Sequence, residues 1–201
     1  MTISEIKKKL QNPLPGIEAQ KKMSPKFREL LMPENTKHFR ESAVLLTLIP
    51  QNGDLFIPLI KRTKSNGSHS GQISFPGGKY EKSDPDFEFT AKREAFEEIG
   101  LKLSEIEVLG KLSPLYIPIS QFVVYPYVAF YPHNNQFHLS KKEVDELLLV
   151  DLKEFTCPNA IKTEMYTIQN QEHEIPYFEV AGNKVWGATA MIINEFLTVI
   201  K

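Results

Sequence analysis

A stretch of strong helix formers, residues 87–99, is rich in glutamate and follows closely on two adjacent glycines. Asp84 supplies a capping side chain before it, and Pro85 is suited to a first helical turn. Gly100 predicts the end of the helix, because glycine readily adopts the left-handed conformation found at helix C-termini. The pattern therefore predicts one short amphipathic helix near the middle of the chain.

The predicted helix has an acidic face and an apolar face. At about 100° per residue, three glutamates fall within an arc of roughly 100°: Glu94, Glu97 and Glu98. The opposite side carries the apolar residues that we expect to face the core: Phe89, Ala95, Phe96 and Ile99. Like charges three and four residues apart repel one another by roughly a few tenths of a kcal/mol, so the acidic face favours a nearby cation. Arg93 supplies part of that charge, and a divalent metal ion would supply more.

A charged face of this kind is often only a solvated surface, but the glycines before it favour a binding site. Gly77-Gly78 follows a β-type run, residues 72–75, and predicts a sharp exit from a strand. Without a Cβ, the backbone there can approach a ligand closely or present a carbonyl oxygen to a metal ion. A helix whose acidic face only contacts solvent would not need two glycines beside it.

The glycines and the acidic helix together resemble the Nudix box, G-x5-E-x7-R-E-U-x-E-E-x-G-U, in which U is an apolar residue. Residues 93–101, Arg-Glu-Ala-Phe-Glu-Glu-Ile-Gly-Leu, match its second half position by position. In the first half Asp84 stands where the pattern has a glutamate, and Arg93 lies one residue further from Gly78 than the pattern has it. The loop between them is thus one residue longer.

A longer loop with an aspartate is similar to the coenzyme A diphosphatase branch of the Nudix hydrolases. The upstream signature of that branch reads approximately L-L-T-x-R-[SA]-x3-R-x3-G-x3-F-P-G-G. These residues match it: Arg62, Gly71, Phe75, Pro76, Gly77 and Gly78. These depart from it: Pro58 for a leucine, Ile60 for the threonine, Thr63 for the serine or alanine, and Gly67 for the second arginine.

Glutamate oxygens at three- and four-residue spacing suit hard octahedral cations, which favours Mg²⁺ or Mn²⁺ over zinc. The resemblance implies that these cations are bound by three carboxylates: Glu94, Glu97 and Glu98. It also implies that the backbone of Gly77-Gly78 assists and that Arg93 orients the glutamates. The carboxylate that takes the proton of the attacking water varies within the family, and three candidates stay open: Glu97, Glu94 and Glu143.

Residues 61–71 form a polar segment rich in turn formers, beside the strand that leads to the glycines. The side chain of Arg62 can bind two phosphate oxygens at once, and the resemblance places it in the substrate signature. His69 is a candidate substrate contact, but it has no cysteine or histidine at metal-ligand spacing. The alternative for this segment is a solvated connector.

The 201 residues predict one domain, residues 39–201, preceded by a helical leader and connector, residues 1–38. The net charge of −1 provides no overall field for nucleic acid or an anionic membrane, so neither partner is predicted. No apolar run approaches twenty residues and no signal peptide is recognised, which predicts a cytoplasmic protein. The amphipathic start of the leader predicts a packing surface or a homodimer contact.

Several apolar runs predict β-strands on both sides of the acidic helix: residues 43–49, 55–60, 106–110, 123–130, 147–150, 161–168 and 174–180. A second helix is predicted after Trp186. Strands with a central and a C-terminal helix predict an α/β protein with helices on both faces of a mixed sheet. The resemblance implies the Nudix-type α/β/α sandwich.

The resemblance implies hydrolysis of a phosphoric anhydride bond, with coenzyme A or a derivative as the first candidate substrate. Its products would be a phosphopantetheine fragment and adenosine 3′,5′-bisphosphate. Gly67, in place of an arginine, keeps other nucleoside diphosphate derivatives open, such as dinucleotides and nucleotide sugars. Two further alternatives are a non-catalytic ligand sensor on the same fold and an acidic helix used only to bind a partner.

Overall fold

The computed structural model describes residues 1–25, 39–63, 71–134, 137–168 and 171–201. Its α-helices are α1 (Ile3–Lys9), α2 (Ile17–Gln20), α3 (Phe87–Ile99) and α4 (Gly187–Ile200). Short 3-10 turns occupy Lys21–Met23, Leu103–Glu105 and Leu152–Phe155. The predictions for Gly67 and His69 lie outside the described residues.

The strands flank α3 on both sides in the chain. They are β1 (Arg40–Gln51), β2 (Asp54–Arg62), β3 (Ile73–Ser74), β4 (Gly77–Lys79), β5 (Glu107–Lys111), β6 (Leu115–Ile117), β7 (Phe122–Phe130), β8 (Val144–Asp151), β9 (Ile161–Ile168), β10 (Gln171–Val180) and β11 (Asn183–Trp186). All the predicted strands are present. Strands β4, β6 and β11 were not predicted, because each has only three or four residues and its pairing comes from distant segments.

The main sheet is mixed and has β1 near its centre. Its order is β3-β2-β1-β7-β5, with β4 paired to β1, β6 to β7, and β8 to β2. Strands β1 and β7 run parallel from Arg40↔Phe122 to Leu48↔Phe130, while the other pairs are antiparallel. A second, antiparallel sheet has the order β11-β10-β9.

Strand β1 is buried on both faces, since alternate side chains enter two different cores. Leu46 and Leu48 lie in a core that also contains residues of α1 and α4. Ala43 and Leu45 lie in the other core, which contains the buried side of α3. Helices therefore cover both faces of a mixed sheet, which confirms the predicted α/β/α architecture.

Helix α3 has the predicted length, but the sequence assigned its cap and part of its apolar face wrongly. The N-cap is Asp86, whose carboxylate accepts a hydrogen bond from the Phe89 N–H at 2.8 Å. Phe89 and Phe96 are exposed, 36% and 50%, so they do not face the core as predicted. Glu98 is buried in their place. Gly100 ends the helix at φ 80°, as predicted.

The leader residues pack on the same core as α4. Ile6 and Met23 are fully buried in it, and a buried Gln20 amide donates to the Glu195 carboxylate at 2.8 Å. The boundary between residues 1–38 and 39–201 stays a prediction. None of the helices within the described residues has the length and apolar character to cross a membrane.

Candidate active site

The two glycines lie within a strand, so the prediction of a sharp strand exit was wrong in this detail. Strand β4 pairs with β1, with Gly77 opposite Val44 and Gly78 opposite Ala43. A Cβ on Gly77 would lie 2.7 Å from the Val44 Cα, which leaves no room for a side chain. The backbone of Gly77 therefore packs directly against β1, and not against a ligand as we expected. This packing places β4 next to the acidic helix.

Glu98 lies against this short strand and is fully buried. Its Oε2 accepts a hydrogen bond from the Gly77 N–H at 2.8 Å, and its Oε1 is 3.2 Å from Nη1 of Arg62. Burial raises the pKa of Glu98 to about 7, although Arg62 and the Gly77 N–H act in the opposite direction. The carboxylates of Glu94 and Glu143 raise it further. The negative charge of ionised Glu98 is thus only partly balanced by the positive groups around it.

Glu94 occupies the space that a side chain on Gly78 would fill. A Cβ on that glycine would lie 2.6 Å from Oε2 of Glu94. Burial raises the pKa of Glu94, and the neighbouring charge of Arg93 opposes that rise. The absence of a side chain at Gly78 therefore allows a half-buried carboxylate to lie directly on the backbone of β4.

Arg93 connects the carboxylates of α3 to the loop before it. Its Nη1 donates to Glu94 Oε1 at 2.9 Å and to Glu97 Oε2 at 3.1 Å. Its Nε and Nη2 donate to the two carboxylate oxygens of Asp84, each at 3.0 Å. Nη2 also donates to the Lys79 carbonyl at 3.2 Å. This geometry suits the positioning role that the resemblance implied for Arg93.

Asp84 is buried and does not cap α3. Besides the contacts from Arg93, its Oδ2 accepts hydrogen bonds from the Thr90 hydroxyl at 2.8 Å and from the Glu81 N–H at 3.1 Å. The hydrogen bonds from Arg93 hold the pKa of Asp84 down at about 2. The aspartate in the longer loop therefore acts as an anchor for Arg93.

Glu97 differs from the other two glutamates of the acidic face. Its side chain is 49% exposed, whereas those of Glu94 and Glu98 are 13% and 1% exposed. The three carboxylates therefore share one side of α3 as predicted, but only two of them lie against β4.

A short loop brings Glu143 to the same region. The Thr63 N–H donates to the Glu143 carbonyl at 3.0 Å, and the Thr63 hydroxyl donates to the Lys142 carbonyl at 2.9 Å. The Ser140 N–H donates to the carbonyl of Glu98 at 3.0 Å. These bonds connect residues 140–143 both to the end of β2 and to α3.

A cavity of about 710 Å³ adjoins the two glycines. Of the predicted site residues, four line it: Arg62, Gly77, Gly78 and Glu143. Lys79 and Lys142 also line it, together with an apolar wall that includes Ile119 and Trp186. A volume of this size is ordinary for a small-molecule site.

The donor set suits a hard divalent cation. The buried carboxylate of Glu98 and the half-buried carboxylate of Glu94 lie against β4, and carboxylate oxygens favour Mg²⁺ or Mn²⁺ as a ligand set. Within the described part of the chain, no three carboxylate, imidazole or thiolate side chains are close enough to enclose a metal ion. Arg93 holds the Glu94 carboxylate and Arg62 holds that of Glu98, so a cation would have to replace these contacts.

The sequence analysis missed several residues of the site. Asp84 was treated as a helix cap, although its alignment with the glutamate of the Nudix box was a signal for a role in the site. Lys142 could have been found from its position next to Glu143, which the sequence analysis had selected as a candidate base. Trp186 had a signal in the Trp-Gly-x-Thr-Ala sequence that opens α4, which is similar to the coenzyme A branch. Ile119 had none, because its segment reaches the cavity only through the pairing of β6 with β7.

Comparisons with known proteins point to one family. A family model described as "NUDIX domain" matches residues 38–170. The uncharacterized Nudix hydrolase NudL of Photorhabdus laumondii is 31% identical over 156 residues, which are 78% of this chain and 82% of that protein. The chloroplastic Nudix hydrolase 22 of Arabidopsis thaliana is 32% identical over 183 residues, 87% of this chain and 59% of that protein.

A mouse relative carries a more specific name. The peroxisomal coenzyme A diphosphatase NUDT7 of Mus musculus is 33% identical over 137 residues, 68% of this chain and 58% of that protein. The chain thus spans less than two thirds of the length of this relative and of the plant one. Among solved structures, a MutT/nudix family protein from Enterococcus faecalis matches with a TM-score of 0.51 at 18% identity, over 86% of this chain and 63% of that chain. The last match shows the fold alone.

Proposed function

The chain belongs to the Nudix hydrolase family, and from this premise we propose that it hydrolyses the diphosphate bond of coenzyme A or of a coenzyme A derivative. Nudix hydrolases cleave diphosphate bonds in nucleoside diphosphate derivatives. The products proposed here are a phosphopantetheine fragment and adenosine 3′,5′-bisphosphate. The observation that carries the choice of substrate is the loop built around Asp84, which follows the twin glycines and is similar to that of the coenzyme A branch.

Mg²⁺ or Mn²⁺ is the proposed cofactor, and Glu94, Glu97 and Glu98 are its proposed ligands. A bound divalent cation would neutralise charge on the phosphate oxygens and would favour the ionised form of Glu98. Without a cation, the buried carboxylates repel one another and would also repel a diphosphate. This electrostatic conflict in the metal-free site supports the proposal.

Each remaining site residue has a proposed role. Arg93 positions Glu94 and Glu97 through its bonds to Asp84. Arg62 contacts Glu98 and lines the cavity, where its guanidinium would bind a phosphate oxygen of the substrate. His69 stays a predicted substrate contact outside the described residues.

The proton of the attacking water has three candidate acceptors. Glu97 is the most exposed carboxylate of α3 and so the most accessible to solvent. Glu143 lines the cavity, whereas Glu94 is largely buried against Gly78. The pH profiles of kcat for E97Q and E143Q would separate them, because loss of the base removes the acidic limb of the profile.

A substrate panel tests the proposed function. The purified protein would be incubated with coenzyme A, ADP-ribose, a diadenosine polyphosphate and a nucleotide sugar, each with Mg²⁺, with Mn²⁺ or with EDTA. We expect coenzyme A to give products with the masses of phosphopantetheine and adenosine 3′,5′-bisphosphate, and EDTA to abolish them. Cleavage of another substrate with coenzyme A left intact would assign the chain to a different Nudix activity.

A further inference from the structure

The second sheet ends in an edge strand, β9. Within the described residues β9 pairs with β10 alone, and the register runs without a shift over eight residue pairs, from Ile161↔Phe178 to Ile168↔Gln171. The strand contains no proline. An edge strand uses only half of its backbone N–H and C=O groups within its own sheet, so the other half of those in β9 is available to a further strand.

Two apolar side chains on one face of β9 are exposed. Ile161 is 47% exposed and Met165 is 56% exposed. They lie four residues apart in a strand and so point to the same face. Phe178 of β10 shares this face, because it is the cross-strand neighbour of Ile161. An edge with unused backbone groups and exposed apolar side chains favours pairing with another strand.

A second cavity, of about 370 Å³, lies beside this edge. Ile161 lines it together with Phe155, Phe178 and Leu197. The rings of Phe155 and Phe178 are buried and meet edge to face, with 5.3 Å between their centroids. The cavity is separate from the one beside the twin glycines, since the two share no lining residue. A further apolar side chain placed next to Ile161 would therefore find apolar surroundings and space.

The opposite face of β9 carries a positive and a negative charge two residues apart. Lys162 forms an ion pair with Glu179 of β10, and Glu164 forms one with Lys184 of β11. The side chains of Lys162 and Glu164 are nevertheless 46% and 39% exposed. Since Lys-x-Glu in one direction is Glu-x-Lys in the other, an antiparallel copy of β9 can place each charge opposite its counterpart.

Symmetry leaves few registers for such a pair. Two copies of a strand related by a two-fold axis perpendicular to the sheet run antiparallel and use the same outward backbone groups, so the axis must lie between the two copies of one residue. An axis at Lys162 or at Glu164 would place like charges directly opposite each other, which is unfavourable. An axis at Met165 would leave both charges without a counterpart. An axis at Thr163 places Lys162 opposite the partner's Glu164. It also places Ile161 opposite the partner's Met165.

We propose that the protein forms a homodimer in which β9 pairs with β9 of a second copy about a two-fold axis at Thr163. Two Lys162–Glu164 pairs form on one face of the joined strands, and two Ile161 and two Met165 side chains pack together on the other. The partner's Met165 lies at the cavity beside Ile161, where its flexible side chain can fill an irregular space. The two three-stranded sheets become one of six strands, which removes the exposed edge. The interface does not involve α1.

Cysteine cross-linking tests the register. The variants are made in a C157S background, which removes the one native cysteine. T163C should form an intermolecular disulfide under mild oxidation, because opposed residues of an antiparallel pair have Cα atoms about 4.5–5.5 Å apart. T167C is the matched control. Thr167 is also exposed on β9, but in this register its two copies lie about 27 Å apart. Equal yields for the two variants on non-reducing gels would overturn the inference.

Charge variants test the same interface without a cross-link. Analytical ultracentrifugation from about 5 to about 500 μM covers the affinities expected of an interface below standard size. E164K places two lysines opposite each other on both sides of the axis, so we expect the dissociation constant of the dimer to rise at least about 10-fold. E179K is the matched control, since it also breaks an ion pair of β9 but changes no residue that faces the partner. The double variant K162E/E164K should recover the dimer, because opposite charges again face each other.

Three outcomes would overturn the inference: a wild type that stays monomeric throughout the series, a dimer that E164K and E179K weaken equally, or a double variant as weak as E164K. Thermal melting excludes a folding defect, which we do not expect at exposed positions. The inference does not depend on the proposed function. None of the residues of β9 lines the cavity beside the twin glycines, so hydrolysis per subunit by E164K should equal that of the wild type.

Discussion

Gly77 and Gly78 are neighbours in the chain but have different surroundings. A Cβ on Gly77 would meet the backbone of β1, which cannot move without breaking the sheet. A Cβ on Gly78 would meet the end of the Glu94 side chain, which can rotate away. The same substitution therefore has a structural effect at one position and a functional effect at the other.

We predict that G77A lowers the free energy of unfolding by about 2 kcal/mol or more, as overpacked sites do, and that G78A largely keeps its stability. G78A should instead lower kcat by at least about 100-fold, because displacing a catalytic group by about 1 Å can cost that much. Urea unfolding and steady-state kinetics on both variants check this. Normal turnover in G78A would show that the position of Glu94 on β4 does not matter.

Glu98 is the residue at which stability and function oppose each other. Loss of outer contacts around a metal ligand already costs 10- to 100-fold, so E98Q should lower kcat with saturating Mg²⁺ by at least about 100-fold. E88Q is a matched control, since Glu88 lies in the first turn of the same helix and is not one of the proposed metal ligands. Near-normal turnover in a folded E98Q would contradict the ligand assignment.

The same variant should be more stable than the wild type when metal is removed at pH 8. The pKa of Glu98 rises from 4.5 to about 7 on folding, so its favourable contribution is complete below pH 4.5 and is lost as the pH rises through 7. At pH 8, burial of the charged carboxylate therefore lowers the free energy of unfolding of the wild type by on the order of 3 kcal/mol. E98Q carries no charge at this position and does not lose this stability. Urea unfolding in EDTA should show the gap at pH 8 and its closure near pH 5.

At the scale of the element, α3 is fastened to the loop before it by Asp84 and Arg93. Asp84 accepts four hydrogen bonds at its buried carboxylate, two of them from the Arg93 guanidinium. This arrangement supports the orientation of Arg93 towards Glu94 and Glu97. The loop before α3 thus provides an internal anchor for the helix.

We predict that D84N lowers the free energy of unfolding at pH 7 by about 2 kcal/mol, the equivalent of the shift in the pKa of Asp84 from 3.8 to about 2. Because the pKa is lowered on folding, this contribution is complete above pH 3.8 and is lost as the pH falls through 2. The difference between D84N and the wild type should therefore shrink between pH 4 and pH 2. A difference that is constant over this range, measured by urea unfolding, would mean that the Asp84 charge does not stabilise α3.

At the scale of the whole molecule, the leader is joined to the C-terminal helix through a buried polar network. Glu195 is fully buried, and its two carboxylate oxygens accept hydrogen bonds from the Gln20 amide at 2.8 Å and the Ser113 N–H at 3.2 Å. The amide of Asn194 donates to the Ala19 carbonyl at 2.7 Å. Segments from the start, middle and end of the chain meet here, and none of these polar residues lines the cavity beside the glycines.

E195A should leave the Ser113 N–H and one N–H of the buried Gln20 amide unpaired, since that amide keeps its bond to the Ser113 carbonyl, and it should lower the free energy of unfolding by about 2 kcal/mol. For a chain of this size that corresponds to a fall in Tm of about 4–8 °C. Calorimetry would measure the fall, with E172A at an exposed position as the control. Turnover well below the transition should stay normal; a selective loss of kcat would show that the leader acts on the active site.

Local sequence patterns predicted those structural features that depend on residues close to one another in the chain. The limits of α3, its stop at Gly100 and the strands of the main sheet other than β4 and β6 follow from periodicity and from glycine, which act over a few residues. The acidic side of α3 was predicted for the same reason. The direction of Phe89 and Phe96 was not, because the surface that covers a helix is supplied by distant strands.

The amino-acid sequence was enough to predict the family, the α/β/α layers and the three acids on one helix. Each of these features follows from the spacing of residues that are close together in the chain. It did not reveal that Glu98 is buried while Glu97 is exposed, that Asp84 anchors Arg93, or that Ile119 and Trp186 share a cavity with Arg62. These relations depend on long-range pairing of β1 with β4 and β7, and of β10 with β11. Burial and charge environment arise from that pairing, since the free energy of a charged group depends on what surrounds it in space.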